Sequence, residues 1–163
     1  MDVLDAIKAR RSVREFTGED VPDEQINAII EAGMWAPSGL NNQPWKFKVL
    51  KGEEKDELAK FTKYAHTIKA APVCIAVFLD NKEGYNRTKD VQAIGACIQN
   101  MLLAIHAFGL GAVWLGEIIN RHDEVEKALK APDGCELMAV IALGKPKRKN
   151  QTSERKDLEN LLL

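Results

Sequence analysis

The sequence predicts one α+β domain over residues 1–163, closed by a C-terminal arm over residues 144–163. Three observations lead there. Val73 to Leu79 is an unbroken apolar run rich in β-formers, and Cys135 to Leu143 reads as a second strand of the same buried kind. From about Asp90 to Phe108, Val91, Ile94, Ile98, Met101, Leu102 and Ile105 leave almost no polar face, so this segment reads as a helix at the centre of the molecule. No internal repeat and no linker-like composition divides the chain.

The remaining elements follow in order. Asp2 is placed to cap a short helix with Val3, Leu4 and Ile7 on one face, ending near Arg10-Arg11-Ser12. Pro22, suited to a first helical position, opens a second helix that turns Ile26, Ile29 and Ile30 inward and stops at Ala36-Pro37. Trp45, Phe47 and Val49 alternate with Lys46 and Lys48, as in a strand with one buried face. Residues 53 to 63 set mixed charge around Leu58 and Phe61, the pattern of a solvated helix. Ala112 to Ile118 reads as a short extended segment, and Asn120 as the cap of an amphipathic helix through Val125 and Leu129. Between Lys145 and Asp157 stand six cations and two anions, before Leu158, Leu161 and Leu162 form a small apolar stripe.

Composition narrows the function. At 45% hydrophobic residues a disordered chain is excluded, and 23 Lys+Arg against 24 Asp+Glu argue against bulk polyanion binding, nucleic acid included. Any anion must then be held by a local cluster. Cys74, Cys97 and Cys135 are odd in number and each sits in an apolar run, which supports neither a disulfide framework nor a zinc site and points to a reducing cytoplasm. Residues 1 to 5 lack a signal-peptide pattern. Ala93 to Gly116 holds no charge and could span a bilayer by length, but Gln99-Asn100, His106, Gly109 and Gly111 make it a buried helix with the segment after it.

Side-chain chemistry is sparse. Ser12, Ser38 and Ser153 lie outside any nucleophile elbow, and His66, His106 and His122 have no metal-ligand spacing. His106 reads as a hydrogen-bonded core residue and His122 as a solvated one. Gly109-x-Gly111 follows a helix where a dinucleotide turn follows a strand. An enzyme built from this chain would therefore use an organic cofactor, with no catalytic side chain and no metal.

Two clusters could hold one. Arg10-Arg11-Ser12-Val13-Arg14 gathers three guanidinium groups and a hydroxyl, enough donors for a phosphate monoester, although cations at a helix C-terminus also complement its dipole. Pro37-Ser38-Gly39-Leu40-Asn41-Asn42-Gln43-Pro44-Trp45 concentrates amides and hydroxyls suited to the edge of a heteroaromatic ring, although such residues populate ordinary turns.

A helix closing in RRSVREF, a second ending in APSGLNNQPW and running into a strand, then a hydrophobic helix followed by GLGAVWLGEI, together resemble the nitroreductase superfamily. The resemblance implies a mixed central sheet flanked by helices, and a homodimer with a C-terminal arm exchanged between subunits and FMN sites shared at the interface. By this resemblance Arg10, Arg11, Ser12 and Arg14 lie at the flavin phosphate and ribityl chain. Pro37, Ser38 and Asn41 approach the ring from the partner, and Leu115 and Gly116 set a backbone amide toward flavin N5. Arg148, and after it Lys145, supply a late phosphate contact. Gly39 stands where relatives often carry Ser, and the stretch with Lys63, His66 and Lys69 matches no pyrimidine-edge motif. The implied activity takes hydride from NADH or NADPH at flavin N5 and reduces a small acceptor, such as a nitroaromatic or quinone, by a ping-pong mechanism. The alternative is a flavin-binding carrier or sensor without turnover. The chain has little room for a helical insertion over the substrate, which implies a more open or differently roofed site.

Overall fold

The computed structural model describes residues 2–163. Asp2 caps α1 (Val3–Ala9) by accepting a 2.8 Å hydrogen bond from the Leu4 amide. The apolar face of this helix turns outward, however. Only Ala6 is buried, while Val3, Leu4 and Ile7 are exposed. Pro22 is the cap of α2 (Asp23–Met34), one residue before the position expected for it; its fixed φ and missing N–H suit both places. Ile26 and Ile29 are buried as expected, and Ile30 packs at the core margin.

The edge strand β1 (Trp45–Leu50) buries Trp45 on one face and Leu50 on the other, leaving Val49 exposed, so its alternation is cleaner in sequence than in space. The expected helix over 53–63 is two pieces, α3 (Gly52–Glu57) and a 3-10 turn over Leu58–Phe61. The amphipathic pattern also missed the short α4 (Ala65–Ala70). Lys55 explains part of the break. It is buried, and its ammonium is drawn across to the Ile68 and Lys69 carbonyls at 2.9 and 3.0 Å.

Strand β2 (Val73–Asp80) is buried at every residue because it lies between β1 and β4 (Cys135–Gly144), antiparallel to both. The short β3 (Gly111–Leu115) completes the order β1-β2-β4-β3. All the strand ladders are antiparallel, and the parallel pairing that makes the sheet mixed is one bridge, Ser12 with Ala112. After β3 the chain forms a 3-10 turn over Glu117–Arg121 and then α6 (His122–Ala128). Asn120 thus lies inside the turn and does not cap the helix.

The central helix α5 (Arg87–Ala107) starts three residues before the expected Asp90, because the Asn86 side chain caps it by accepting from the Lys89 amide. It buries Ile94, Cys97, Ile98, Met101, Leu102 and Ile105 against α2 and the sheet. A single chain therefore buries the apolar residues of this central helix by itself. The uncovered apolar surface is elsewhere: on α1, at Trp35 and Leu40 (81% and 85% exposed), and at Leu158, Leu161 and Leu162. Among the described residues no helix is long and apolar enough to cross a membrane.

Asp90 ties the N-terminal end of α5 to two loops. Its carboxylate, 3% exposed, accepts hydrogen bonds from Asn42 Nδ2 (2.9 Å) and from the amides of Tyr85 (3.0 Å) and Asn86 (2.9 Å). Burial alone would raise its pKa, but these three donors outweigh burial and hold it below the ordinary carboxylate value. The ionised form is thus the one the fold favours. Its contribution is present above the unfolded pKa near 3.9 and is lost as pH falls through the lower folded value. Asp90→Asn turns an amide nitrogen toward N–H donors and should cost about 1–3 kcal/mol in denaturant unfolding at pH 7. The difference from wild type should begin to shrink below about pH 4, where the unfolded carboxyl takes up its proton, and go on shrinking until pH has fallen through the lower folded value. An unchanged gap at pH 3 would show that the carboxylate charge is not what Asp90 contributes.

Candidate functional site

The chain leaving α1 runs beside β3 and then beside the end of β4. Val13 N donates to Ala112 O (2.9 Å), Thr17 N to Lys145 O (2.9 Å), and Lys147 N to Glu15 O (3.0 Å). The close approach depends on Gly111. A Cβ there would lie 2.7 Å from Val13 Cβ and Cγ2, within any tolerable contact. These pairings bring the arginine segment, distant in sequence, against the start of the basic tail.

The result is a cleft of 260 Å³ at the C-terminal end of α5. Arg10, Arg11, His106, Arg148 and Lys149 line it with apolar Leu102, Ile105 and Ala112, and no carboxylate is among the lining residues. Arg11 Nη1 donates to the carbonyls of Lys8 (2.6 Å) and Arg10 (2.9 Å), so this side chain also satisfies the end of α1. Yet the buried Nε atoms of both Arg10 and Arg11 have no partner among the described residues. Burial, then Arg155 and Arg11, lower the pKa of Arg10, without threatening its charge at neutral pH. His106 is not the hydrogen-bonded core residue expected from sequence. It is half-buried, its Nε2 has no partner among the described residues, and burial followed by Arg10, Lys149 and Arg11 pushes its pKa down. Concentrated positive charge with buried donors left over is what an anion, above all a phosphate monoester, would complete.

Of the residues singled out in sequence, Arg10, Arg11 and Arg148 meet in this cleft. Ser12 pairs with Ala112 through the backbone bridge, and exposed Arg14 lies outside the lining. Lys145 is held by Glu19 at 2.8 and 3.0 Å and does not line the cleft. Lys149 and His106 do, and sequence reasoning gave them no site role. The last-turn position of His106, where a basic group complements the helix dipole, was the only available signal. Leu115, buried, and Gly116 sit at the far end of β3 from Gly111 and Ala112, roughly 13 Å along the strand at 3.3 Å per residue.

The loop of residues 37–45 stands elsewhere. It is docked at the opposite end of α5 by Asn42, which donates to Asp90 and to the Glu83 carbonyl (both 2.9 Å). Its backbone is strained: Leu40, Asn41 and Gln43 have φ of 55°, 54° and 48°, three of the four non-glycine residues in the left-handed region among the described residues. Ser38 Oγ holds that shape by accepting from the Gln43 amide (3.0 Å), which leaves its hydroxyl hydrogen free to donate. Exposed Pro37 and Asn41 flank it. Asp90 and His106 are about 24 Å apart along α5 at 1.5 Å per residue, so loop and arginine cleft of one chain cannot meet on one small ring. Lys63, His66 and Lys69 are all exposed, and none of them lines the cleft.

Comparison with known proteins gives this geometry a family. The profile described as Nitroreductase family matches residues 7–65 and 62–145. A Methanothermobacter thermautotrophicus protein, provisionally named NADH dehydrogenase/NAD(P)H nitroreductase, is 35% identical over 100% of this chain and 87% of its own. The NADPH-flavin oxidoreductase of Vibrio harveyi is 30% identical over 94% of this chain and 70% of its own. A nitroreductase-like protein of Desulfovibrio desulfuricans, solved in complex with FMN, superposes with a TM-score of 0.96 at 50% identity, covering 100% of this chain and 96% of that one. On profile, identity and fold together, this chain belongs to the nitroreductase family.

Proposed function

We propose that the protein is an FMN-dependent NAD(P)H oxidoreductase that works as a homodimer and reduces small acceptors such as nitroaromatics or quinones by a ping-pong mechanism. The observation that carries this reading is the cationic cleft, whose buried Arg10 and Arg11 Nε donors lack partners among the described residues. A flavin phosphate fits it by charge and by donor set. Bound FMN supplies the two-electron chemistry, accepting hydride from NADH or NADPH and giving electrons to a second substrate.

The protein's tasks are then binding and orientation. Arg10, Arg11 and Arg148 grip the phosphate, Ser12 and Arg14 of the same segment, which lie outside the cleft lining, serve the ribityl chain, and Lys145 is the weaker candidate because Glu19 competes for it. Leu115 and Gly116 offer backbone to the ring. Pro37, Ser38 and Asn41 of the partner subunit reach its edge, which the opposed ends of α5 require of any shared site. Uncovered apolar residues on α1 and the C-terminal arm give the dimer surfaces to bury, and an arm exchanged between subunits would cover them. We assign the protein to the cytoplasm, where the buried free thiols of Cys74, Cys97 and Cys135 stay reduced.

Anaerobic mixing of the yellow protein with NADH or NADPH tests the function directly. Rapid bleaching is expected, and persistent colour would leave only a flavin-binding carrier or sensor. Arg10→Ala and Arg148→Ala should each weaken FMN by about 1.5–3 kcal/mol in equilibrium titration, Lys145→Ala by less, while riboflavin binding barely responds. Equal losses for riboflavin would remove the phosphate assignment.

Mixed dimers test the shared site. Chains carrying Arg10→Ala and chains carrying Asn41→Ala, each silent as a homodimer, should recover activity on mixing, because the heterodimer holds one doubly damaged and one intact site. Verified heterodimers without activity would place loop and arginines in the same chain's site.

A further inference from the structure

Gly39 lies in the strained loop, and its missing side chain is occupied by another residue. A Cβ built on Gly39 would overlap the Tyr85 hydroxyl oxygen and stand 2.5 and 2.6 Å from its Cε1 and Cζ atoms. Only glycine admits this contact. Tyr85 comes from the turn between β2 and α5, and that turn is locked to the loop through one carboxylate: Asp90 accepts from the Tyr85 amide and from Asn42 of the loop. The Asn42 amide also donates to Glu83 within the same turn. Lys89 Nζ stands over the Tyr85 ring, 5.3 Å from its centre, a cation–π contact. Tyr85 is 44% exposed as a residue, and no hydrogen bond from its hydroxyl is found among the described residues. Position 39 thus presents a phenol from a different segment, held on a rigid support beside Ser38 and Asn41.

We propose that Tyr85 is the specificity-determining residue for the electron acceptor: its ring walls the acceptor side of the site, and its hydroxyl donates a hydrogen bond to an oxygen of a quinone or nitro group. This rests on the function proposed above, which puts the Ser38 and Asn41 loop at the flavin edge. The overall step balances as NADH plus a quinone plus one proton giving NAD⁺ and hydroquinone. Tyr85 only orients the quinone oxygen, and solvent supplies the proton. The reason for the arrangement is steric. With Gly39 lacking a side chain, a residue from the β2–α5 turn can reach the loop, and a short chain gains a substrate wall without a longer insertion.

The test uses FMN-loaded enzyme and compares p-benzoquinone with ferricyanide, which accepts electrons without a carbonyl or nitro oxygen to orient. Tyr85→Phe should raise the ratio of KM for benzoquinone to KM for ferricyanide about three- to tenfold, the range of one hydrogen bond. A ratio within twofold of wild type, in a protein that is yellow and bleaches with NADH, would overturn the role of Tyr85 and leave the oxidoreductase reading intact. Wild-type protein that does not bleach would overturn that reading itself. The packing is tested separately. Gly39→Ala should lower the melting temperature, and adding Tyr85→Ala should restore it without restoring the benzoquinone KM. Restoration of both would show that Tyr85 only fills space.

Discussion

Helix α5 is packed through Ile94, Cys97, Ile98, Met101, Leu102 and Ile105 between α2 and the sheet, and its length is the constraint on which the functional geometry depends. Because it is buried along its course, neither end can shift without unpacking the core. The strained amide-rich loop is pinned at one end through Asp90 and Asn42, and the cationic cleft forms at the other around His106. Two clusters on opposite ends of one rigid element cannot serve one small ring within a chain. Two chains with their helices opposed can bring unlike ends together, which is what the proposed shared site asks of the dimer.

The two clusters are held by different physics. At the arginine end, charge is gathered by backbone pairing: Val13 with Ala112 and Lys147 with Glu15 fix two cationic segments side by side, against their mutual repulsion. Lowered pKa values at Arg10 and His106 record that repulsion together with burial. At the loop end, shape matters more than charge. Left-handed backbone at Leu40, Asn41 and Gln43 is unfavourable, by roughly 1–2 kcal/mol for each non-glycine residue, and persists because Ser38, Asn42 and Asp90 hold it. Such stored strain places polar groups outward, where a ligand can use them.

Much of this was legible in the sequence for a simple reason: burial on both faces and helical burial nearly all round leave few polar residues to confuse the pattern. Strands β2 and β4 and helix α5 were therefore clear. The errors fall where a single local feature competes with the pattern. Lys55 reads as solvated but crosses to carbonyls of α4, Asn120 reads as a cap but lies in a turn, and Val3, Leu4 and Ile7 read as a core face but point outward. Amphipathicity reports that a face will be covered; it does not say which chain covers it.

By itself the sequence determined the fold class, the central helix, the donor-rich arginine segment and the amide-rich loop, because each is written in residues close together along the chain. Only the tertiary structure decided which tail cation joins the arginines, since Arg148 and Lys145 differ in sequence by three positions but in space by the reach of Glu19. It also decided that His106 faces cations without a partner, that loop and cleft stand at opposite ends of α5, and that Tyr85 fills the space of Gly39. Each of these turns on side chains distant in sequence meeting at a few ångströms, and periodicity carries no information about such meetings.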